Sequence, residues 1–537
     1  MSAALLKLKR AYRKDPGNLD LLAATALAYF EAGDREGALD LLQQALQNQP
    51  PTAMLMQLVS DLSLKMDMPD FAAKFLTVAI DLEPGEPSNY VNLASCYMKL
   101  GKYDEALELT KSIAEMFASY APAWNILGVV TRQYLNDYYN AITFFNEALR
   151  LDPKNIQALN NLAECYAGHM NSIELYEKVL AIEPDNHQVR VSLAISQLQN
   201  GMFEEGWRNY EARLKLSEGL SKNVSYNHKI SPWKGQSLKG QTILLMPEQG
   251  IGDEILFGSM INAVIEDAAQ VYVGCASRLV SVYRRSFPAA KVVSFEDKLA
   301  FGERVRSFPD IPKAEFNRID YAVPIGSLPR FYWGGREDMV RHSTSYLTPN
   351  QDQAAAFRAR LNTGENDLIF GISWRSGKMT SDRMQGYWDF EMVKKLVVTK
   401  GVRFVNLQYG ATDEELRELK MVAGPNFTVF EDVDLFNDIE ANLAIMYNLD
   451  LVVGPPIATQ MMAMAIGKFT WILASGVPWW MFGDPPSWGL KPRKNIFDAR
   501  FSRALKYSFF NKGEWAKWEP HTMEMMRQWV SYLKDHK

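Results

Sequence analysis

Residues 246–257 read Met-Pro-Glu-Gln-Gly-Ile-Gly-Asp-Glu-Ile-Leu-Phe and follow the apolar run Ile243-Leu244-Leu245. A strand is predicted to pass here into a helix through a turn made of Glu248, Gln249, Gly250 and Gly252. The glycines allow close backbone approach, and the start of a helix brings unpaired N–H groups and the positive end of its dipole to the same place. Asp253 therefore sits where a sugar hydroxyl or a phosphate would be handled. The turn is not the dinucleotide fingerprint, because Ile255 stands where a third glycine belongs, and no Gly-Lys-Ser/Thr of a phosphate loop follows. The same residues also suit a plain strand-to-helix turn in which Asp253 caps the helix.

Upstream, Pro16, Pro50 and Pro84 recur every 34 residues. Aligning these intervals puts Ala26, Ser60 and Ala94 in register, then Ala38, Ala72 and Ala106, then Ala45, Ala79 and Ile113. Small residues at fixed places, with Tyr29, Leu42, Tyr90, Leu93 and Tyr97 between them, give the tetratricopeptide period: helical hairpins that stack into a solenoid. The pattern continues through Trp124, Leu127, Gly128 and Ala148 to Pro153, through Leu159, Leu162, Ala163 and Tyr166 to Pro184, and on to Leu214. The fourth unit is one residue long, and the fifth is about three short, which predicts a clipped turn near 168–172. Leu5, Leu6, Leu8 and Tyr12 predict a lone capping helix. Its Lys7, Lys9, Arg10, Arg13 and Lys14 are read as a solvated face rather than a membrane-surface one.

Residues 215–240 carry Ser217, Gly219, Ser221, Asn223, Ser225, Ser231, Pro232, Gly235 and Gly240, the composition of a linker. Beyond them short apolar runs alternate with amphipathic stretches, from Thr242–Met246 onward and again from Leu368–Ser373 to Glu519–Leu533. Alternation of this kind predicts parallel sheets wound with helices, and two such sheets place ligand atoms at the carboxyl ends of their strands. The expected division is 1–214 for the repeats, 215–240 for the linker, 241–365 for the first α/β domain and 366–537 for the second.

Composition limits the function. The chain of 537 residues is too long for one core, and its 47% hydrophobic content is ordinary for globular protein. No apolar run reaches the length of a membrane span, and no secretory leader is expected, so the cytoplasm is the predicted compartment. Cys96, Cys165 and Cys275 lie far apart and read as buried reduced thiols. A net charge of −5 argues against nucleic acid as a partner. Six histidines without metal-ligand spacing predict no metal catalyst, and no bound cofactor is expected.

Several stretches together resemble the bacterial tetratricopeptide-repeat glycosyltransferases whose catalytic part is related to the heptosyltransferases. They are Gly206-Trp207 with Tyr210-Glu211-Ala212-Arg213-Leu214, Pro232-Trp233-Lys234-Gly235, and Glu248 to Asp253. Further ones are Gly371-Ile372-Ser373-Trp374 with Asp382-Arg383, Phe404 to Gln408, Asp438 before Asn448 to Val452, and Ala463 to Gly467. The resemblance covers nearly the whole chain. It implies an α-solenoid followed by a GT-B fold, that is, two Rossmann-like α/β domains, with the acceptor on the glycine-turn side and a nucleotide-sugar co-substrate on the C-terminal side.

The resemblance also implies roles. Asp253 is expected as the base that takes the acceptor proton. Trp374, Arg375, Ser376, Lys378 and Arg383, with Thr380 and Ser381, are expected around the donor phosphates, and Gln408 beside them; inverting transfer then needs no metal. A solvated loop is the other reading of Lys378 and Arg383. Where relatives carry a threonine at the start of the last phosphate-facing helix, this chain has Ile457 within Gly454-Pro455-Pro456-Ile457-Ala458-Thr459-Gln460-Met461. Thr459 and Gln460 remain as polar candidates, with Pro456 expected in the first helical turn. Glu254 adds an unexpected second acid. Trp479, Trp480, Phe482 and Trp488 suit either a donor-pocket border or a self-packed loop.

The expected function is transfer of a sugar from a nucleotide-sugar to a protein acceptor held by the repeats, with a flagellin-like acceptor as the named case. The alternatives are an inactive tetratricopeptide binding scaffold and transfer to a lipopolysaccharide-type sugar.

Overall fold

The computed structural model describes residues 3–535 except 168, 217–223, 227, 249, 301–302, 336–337, 339–344, 362–366, 378–386 and 473–514. These residues form two compact units, one of residues 1–166 with 174–184 and one of 167–173 with 185–537.

The first unit is a run of antiparallel helices. After α1 (Ala3–Lys14) come the pairs α2 (Leu19–Glu31) and α3 (Arg35–Asn48), α4 (Ala53–Lys65) and α5 (Pro69–Leu82), then α6 (Pro87–Lys99) and α7 (Tyr103–Met116). They continue with α8 (Ala121–Gln133) and α9 (Tyr138–Leu151), then α10 (Ile156–Cys165) and α11 (Met170–Ile182). The in-register small residues sit where helices cross: Ala26, Ala38, Ala45, Ala72, Ala79, Ala94 and Ala106 are all buried. A β-carbon on Gly128 would lie 2.6 Å from the Phe145 ring, so the α8–α9 crossing requires glycine there.

The hairpin turns mark the period independently. Gly33, Asp67, Gly101 and Asn136 all take positive φ, and the last interval is the longer one, as the fourth repeat predicts. Side chains of Asn18, Thr52 and Asn155 accept from the backbone N–H three residues on and begin α2, α4 and α10. The fifth repeat is shortened within its helix and not in the turn where the clipping was expected: α10 ends at Cys165 and α11 begins at Met170, the same gap as between α8 and α9. Helix α10 has 10 residues against 13 in α8.

The sixth hairpin, α12 (His187–Gln199) and α13 (Phe203–Tyr210), belongs to the second unit. Trp207 of α13 is buried there, 5.7 Å from the ring of Trp333 and 6.5 Å from Phe257.

Two five-stranded sheets, each parallel throughout, follow. The first has the order β2 (Ser231–Pro232), β8 (Tyr321–Pro324), β3 (Thr242–Met246), β4 (Gln270–Cys275) and β5 (Lys291–Ser294). The second has the order β11 (Phe427–Thr428), β10 (Val402–Asn406), β9 (Leu368–Ile372), β12 (Leu451–Gly454) and β13 (Thr470–Ile472). In both, the order of the strands reverses at one point, between β3 and β8 and between β9 and β12. Such a reversal leaves a crevice at the carboxyl ends of those strands.

A third, small sheet joins β1 (Val224–Tyr226), β7 (Glu303–Ser307) and β6 (Glu296–Ala300), with β6 and β7 antiparallel. Residues 224–226 and 231–232, inside the stretch whose composition reads as a linker, are thus strands. Pro232 is tolerated because β2 is an edge strand.

The helices of the second unit are α14 (Ile251–Gly258), α15 (Ile261–Asp267), α16 (Val280–Ser286), the single turns α17 (Lys313–Phe316) and α18 (Pro329–Tyr332), and α19 (Gln351–Leu361). In the second half come α20 (Phe390–Leu396), α21 (Asp413–Ala423), α22 (Ile439–Tyr447), α23 (Ala458–Ala465) and α24 (Trp515–Asp535). One apolar core takes in Ile243 and Leu245 of β3, Ile369 of β9, Val452 of β12, and buried residues of α14, α22 and α23. The two sheets are therefore parts of one packed body. No helix among the described residues is long and apolar enough to cross a membrane.

Candidate functional site

The glycine turn leaves β3 at the crevice beside β8. Gly250 is the N-cap of α14 in an extended conformation, φ −85° and ψ 170°, and contributes no side-chain cap. Its carbonyl accepts from the N–H groups of Asp253 at 3.0 Å and Glu254 at 3.1 Å. Asp253 is half-buried in the first turn. Its Oδ2 lies 4.0 Å from where a β-carbon on Gly250 would be, so the carboxylate turns back toward the helix start. The dipole and the first-turn N–H groups favour negative charge there. Gly252 serves a different need from a sharp turn: a β-carbon on it would lie 3.4 Å from Cα of Ala458, the first residue of α23. Two helix starts, one from each sheet, thus meet at this point.

Glu248 does not face open space. It forms a forked ion pair with the fully buried Arg213, Nε to Oε2 at 2.9 Å and a terminal nitrogen to Oε1 at 2.7 Å. Oε1 also accepts from the Gly326 N–H at 3.0 Å. Arg306 donates to the carbonyls of Pro247 at 2.8 Å and Glu248 at 3.2 Å, and the Tyr226 hydroxyl donates to the Pro247 carbonyl. Gln249 lies outside the described residues.

Glu254, the unexpected acid, points into the protein. Its Oε2 accepts from the Ala276 N–H at 2.9 Å at the end of β4. Burial pushes its carboxyl up to about 7, with Asp253 adding to the rise and the Ala276 N–H, Arg306 and Arg278 opposing it.

At the second crevice the loop after β9 is laced to its neighbours. Gln408 accepts on Oε1 from the N–H groups of Trp374 at 2.8 Å and Arg375 at 2.9 Å. Its Nε2 donates to the carbonyls of Arg375 at 2.8 Å and Tyr409 at 2.7 Å. An amide has two donors and two acceptor sites, so Gln408 is saturated within the protein and acts as a clamp between two strand ends. Arg375, expected at a donor phosphate, forms a fork with Glu415 at 3.2 and 2.6 Å and donates to the Gly410 carbonyl at 2.9 Å.

Glu415 also accepts from the Trp374 indole and completes the capping box of α21 with Thr412. Burial raises its carboxyl, but Arg375, the Thr412 N–H and Trp374 outweigh burial and hold it low. Trp374 and Ser376 are buried.

Thr459 and Gln460, the polar candidates of α23, are fully buried. Gln460 Nε2 donates to Ser373 Oγ at 2.9 Å across the second crevice. Gly454 makes room for this contact, since a β-carbon there would lie 2.2 Å from Gln460 Nε2 and 2.6 Å from Ser373 Oγ. Thr459 Oγ1 and Gln460 Oε1 are buried without a hydrogen-bond partner among the described residues. Pro456 is not in the first turn of α23. The Ile457 N–H bonds back to the Pro455 carbonyl at 2.8 Å, a tight turn that delays the helix until Ala458, with Ile457 as an N-cap lacking a side-chain bond.

Lys378, Arg383, Thr380, Ser381 and the aromatic group Trp479, Trp480, Phe482 and Trp488 lie outside the described residues. Beside the loop after β9 opens a cavity of about 510 Å³ at the carboxyl end of β10, lined in part by Tyr409, Gly410, Asp413, Lys420, Asp434 and Phe436. Among the described residues no cluster could hold a metal ion. The sequence gives Arg306 no distinguishing signal, and it marks Arg213 and Ser373 only as members of longer stretches, without a role of their own. Glu415 has one, the Thr-x-x-Glu capping pattern.

The tetratricopeptide repeat family matches the chain at residues 24–52, 64–128 and 121–155, so the helical hairpins of the first unit are tetratricopeptide repeats. Protein FlbA of Caulobacter vibrioides is 28% identical over 468 residues, spanning 85% of this chain and 77% of FlbA. That span reaches past the repeats into the second unit. Hsp70-Hsp90 organizing protein 2 of Arabidopsis thaliana is 29% identical over 106 residues, 20% of this chain and 18% of that protein. The solved structure of a thermophilic TPR protein of Thermus thermophilus aligns with a TM-score of 0.30 and 21% identity, covering 34% of this chain and 100% of its own.

Proposed function

We propose that the chain is a metal-independent glycosyltransferase that holds a protein acceptor on its tetratricopeptide repeats and transfers a sugar to it from a nucleotide-sugar. The second unit, in this reading, is a GT-B fold. The observation that carries it is the meeting of the α14 and α23 helix starts at Gly252 and Ala458, with Asp253 in the first turn of α14. Two helix starts favour a departing phosphate or diphosphate, and an ionised carboxylate beside them can take a hydroxyl proton.

The cavity at the carboxyl end of β10 suits the nucleoside part of the donor. The rings of Tyr409 and Phe436 stand 5.5 Å apart at its edge and offer faces to a base. With Arg375 committed to internal bonds, this reading assigns the positive charge at the donor phosphates to Lys378 and Arg383.

The same internal commitments favour a second reading, in which the two-sheet body is a scaffold and the repeats alone are at work. Intact-mass measurement of candidate acceptors, flagellin among them, incubated with the protein and each common nucleotide-sugar decides between them. A sugar-sized mass gain supports transfer. Acceptor binding with no gain for any donor, and no donor hydrolysis, supports the scaffold.

A further inference from the structure

We infer that Arg213 is a positioning residue for the glycine turn, fixing the start of α14 and hence Asp253 through its fork onto Glu248. This rests on the glycosyl-transfer reading for its catalytic consequence, but its structural half stands without it. Arg213 comes from the segment after α13, far in sequence from the turn it holds. Its five N–H groups have five partners: Glu248 twice, Ser327 Oγ at 2.9 Å, the Tyr210 carbonyl at 3.2 Å and Glu211 at 2.8 Å. Glu248 in turn ties β3 to Gly326 beyond β8. The guanidinium therefore bridges the residues that follow β3 and β8 to the end of the sixth hairpin.

Stability alone does not call for such a pair. Removing two charges from water is costly, and apolar replacements of similar size are often neutral or stabilising. What a planar fork adds is direction: two parallel bonds fix the angle as well as the distance of the carboxylate. Glu248 stands two residues before the N-cap Gly250, so a tilt of Glu248 becomes a tilt of α14. Trp207 against Phe257 holds the same helix from its other end.

The test compares full-length Arg213→Met, Glu248→Gln and the double variant Arg213→Met/Glu248→Leu. Arg213→Met strands a buried carboxylate, so its melting temperature falls. The double variant removes both charges, and its melting temperature is expected within about 4 °C of the wild type. Hydrogen exchange at the amides of residues 253–258 is nevertheless expected to stay about tenfold faster than wild type in the double variant. Its kcat is expected to stay about tenfold or more below wild type with KM for the nucleotide-sugar nearly unchanged. Glu248→Gln, which keeps an acceptor for Gly326 but loses one tine of the fork, should fall between. Wild-type exchange at 253–258 in the double variant, or recovery of kcat with the melting temperature, overturns the inference. If the wild type transfers no sugar, the functional reading fails, and the exchange measurement still decides the role of Arg213.

Discussion

Gly252 and Ala458 stand against each other at the starts of two helices that rise from different sheets, with Cα of Ala458 3.4 Å from the place a Gly252 β-carbon would take. That distance is an ordinary contact, so Gly252→Ala should fold with a stability within about 1 kcal/mol of wild type, helped by the better helix propensity of alanine. Gly252→Leu must push α14 and α23 apart and should cost about 1–3 kcal/mol. Equal denaturation midpoints for the two variants would show that the helices are not held together here.

Asp253→Asn tests the proposed base. Asp253 is not the N-cap of α14, and asparagine keeps its size and an acceptor oxygen, so fold and binding are expected to persist. Turnover should drop by about 100-fold or more, the usual yield of general-base catalysis. Unimpaired transfer by a well-folded variant would remove Asp253 from the chemistry.

Glu254 makes stability depend on pH in a stated direction. Its folded carboxyl is raised to about 7, above the value of an unfolded glutamate, so the folded state binds the extra proton. Stability is therefore favoured at low pH and falls as pH rises from about 4.5 to 7, after which the penalty is constant. Glu254→Gln keeps an acceptor for Ala276 and carries no charge. It should exceed wild type by roughly 3 kcal/mol at pH 8 and match it below pH 4.5. Parallel urea titrations at pH 4.5 and 8 measure this, and a constant difference would place the proton elsewhere.

Arg375 is a strut of the loop after β9, so Arg375→Ala should lower stability by about 1–3 kcal/mol by stranding half-buried Glu415. Because the guanidinium is already paired, nucleotide-sugar affinity should change less than in Lys378→Ala, where about 1–3 kcal/mol of a charge-assisted bond is at stake. Isothermal titration of both variants with one donor separates them, and a larger loss for Arg375 would reverse the assignment.

Gly454→Ala should be poorly tolerated. Its β-carbon would meet Gln460 Nε2 at 2.2 Å and the Ser373 carbonyl at 2.8 Å. Overpacking of this kind costs about 1–3 kcal/mol, and adding Gln460→Ala should restore only part, because the backbone contact remains. Full rescue, read from thermal unfolding, would show that the backbone can yield.

Periodicity made the fold readable where one face repeats. Alanines at the crossings and the chain of turn residues exposed the repeats, down to the extra residue that puts Asn136 where a 34-residue spacing would put its predecessor. Apolar runs marked β3, β9, β10 and β12 because strands buried on both faces are continuous. The hairpin of β6 and β7 stayed hidden, since Glu296, Asp297, Lys298, Glu303 and Arg304 give these two strands no apolar signature. At the site, residue type announced Asp253 and the turn, but partners decided the rest. Arg375 and Gln408 have the chemistry of ligand contacts, and only distance reveals that Glu415 and five backbone groups already occupy them. Arg213 stood within the marked stretch 210–214 without a role of its own until the fold brought Glu248 to it.

The placement of α12 and α13 within the second unit bears on how chimeras of this protein must be cut. A graft that swaps in a foreign repeat array at residue 214 would carry away Trp207 and Arg213, and with them the packing of Phe257 and the partner of Glu248. A junction at Pro184 keeps both in the recipient. The last hairpin, repeat-like in its sequence, travels with the sheets and not with the array that precedes it.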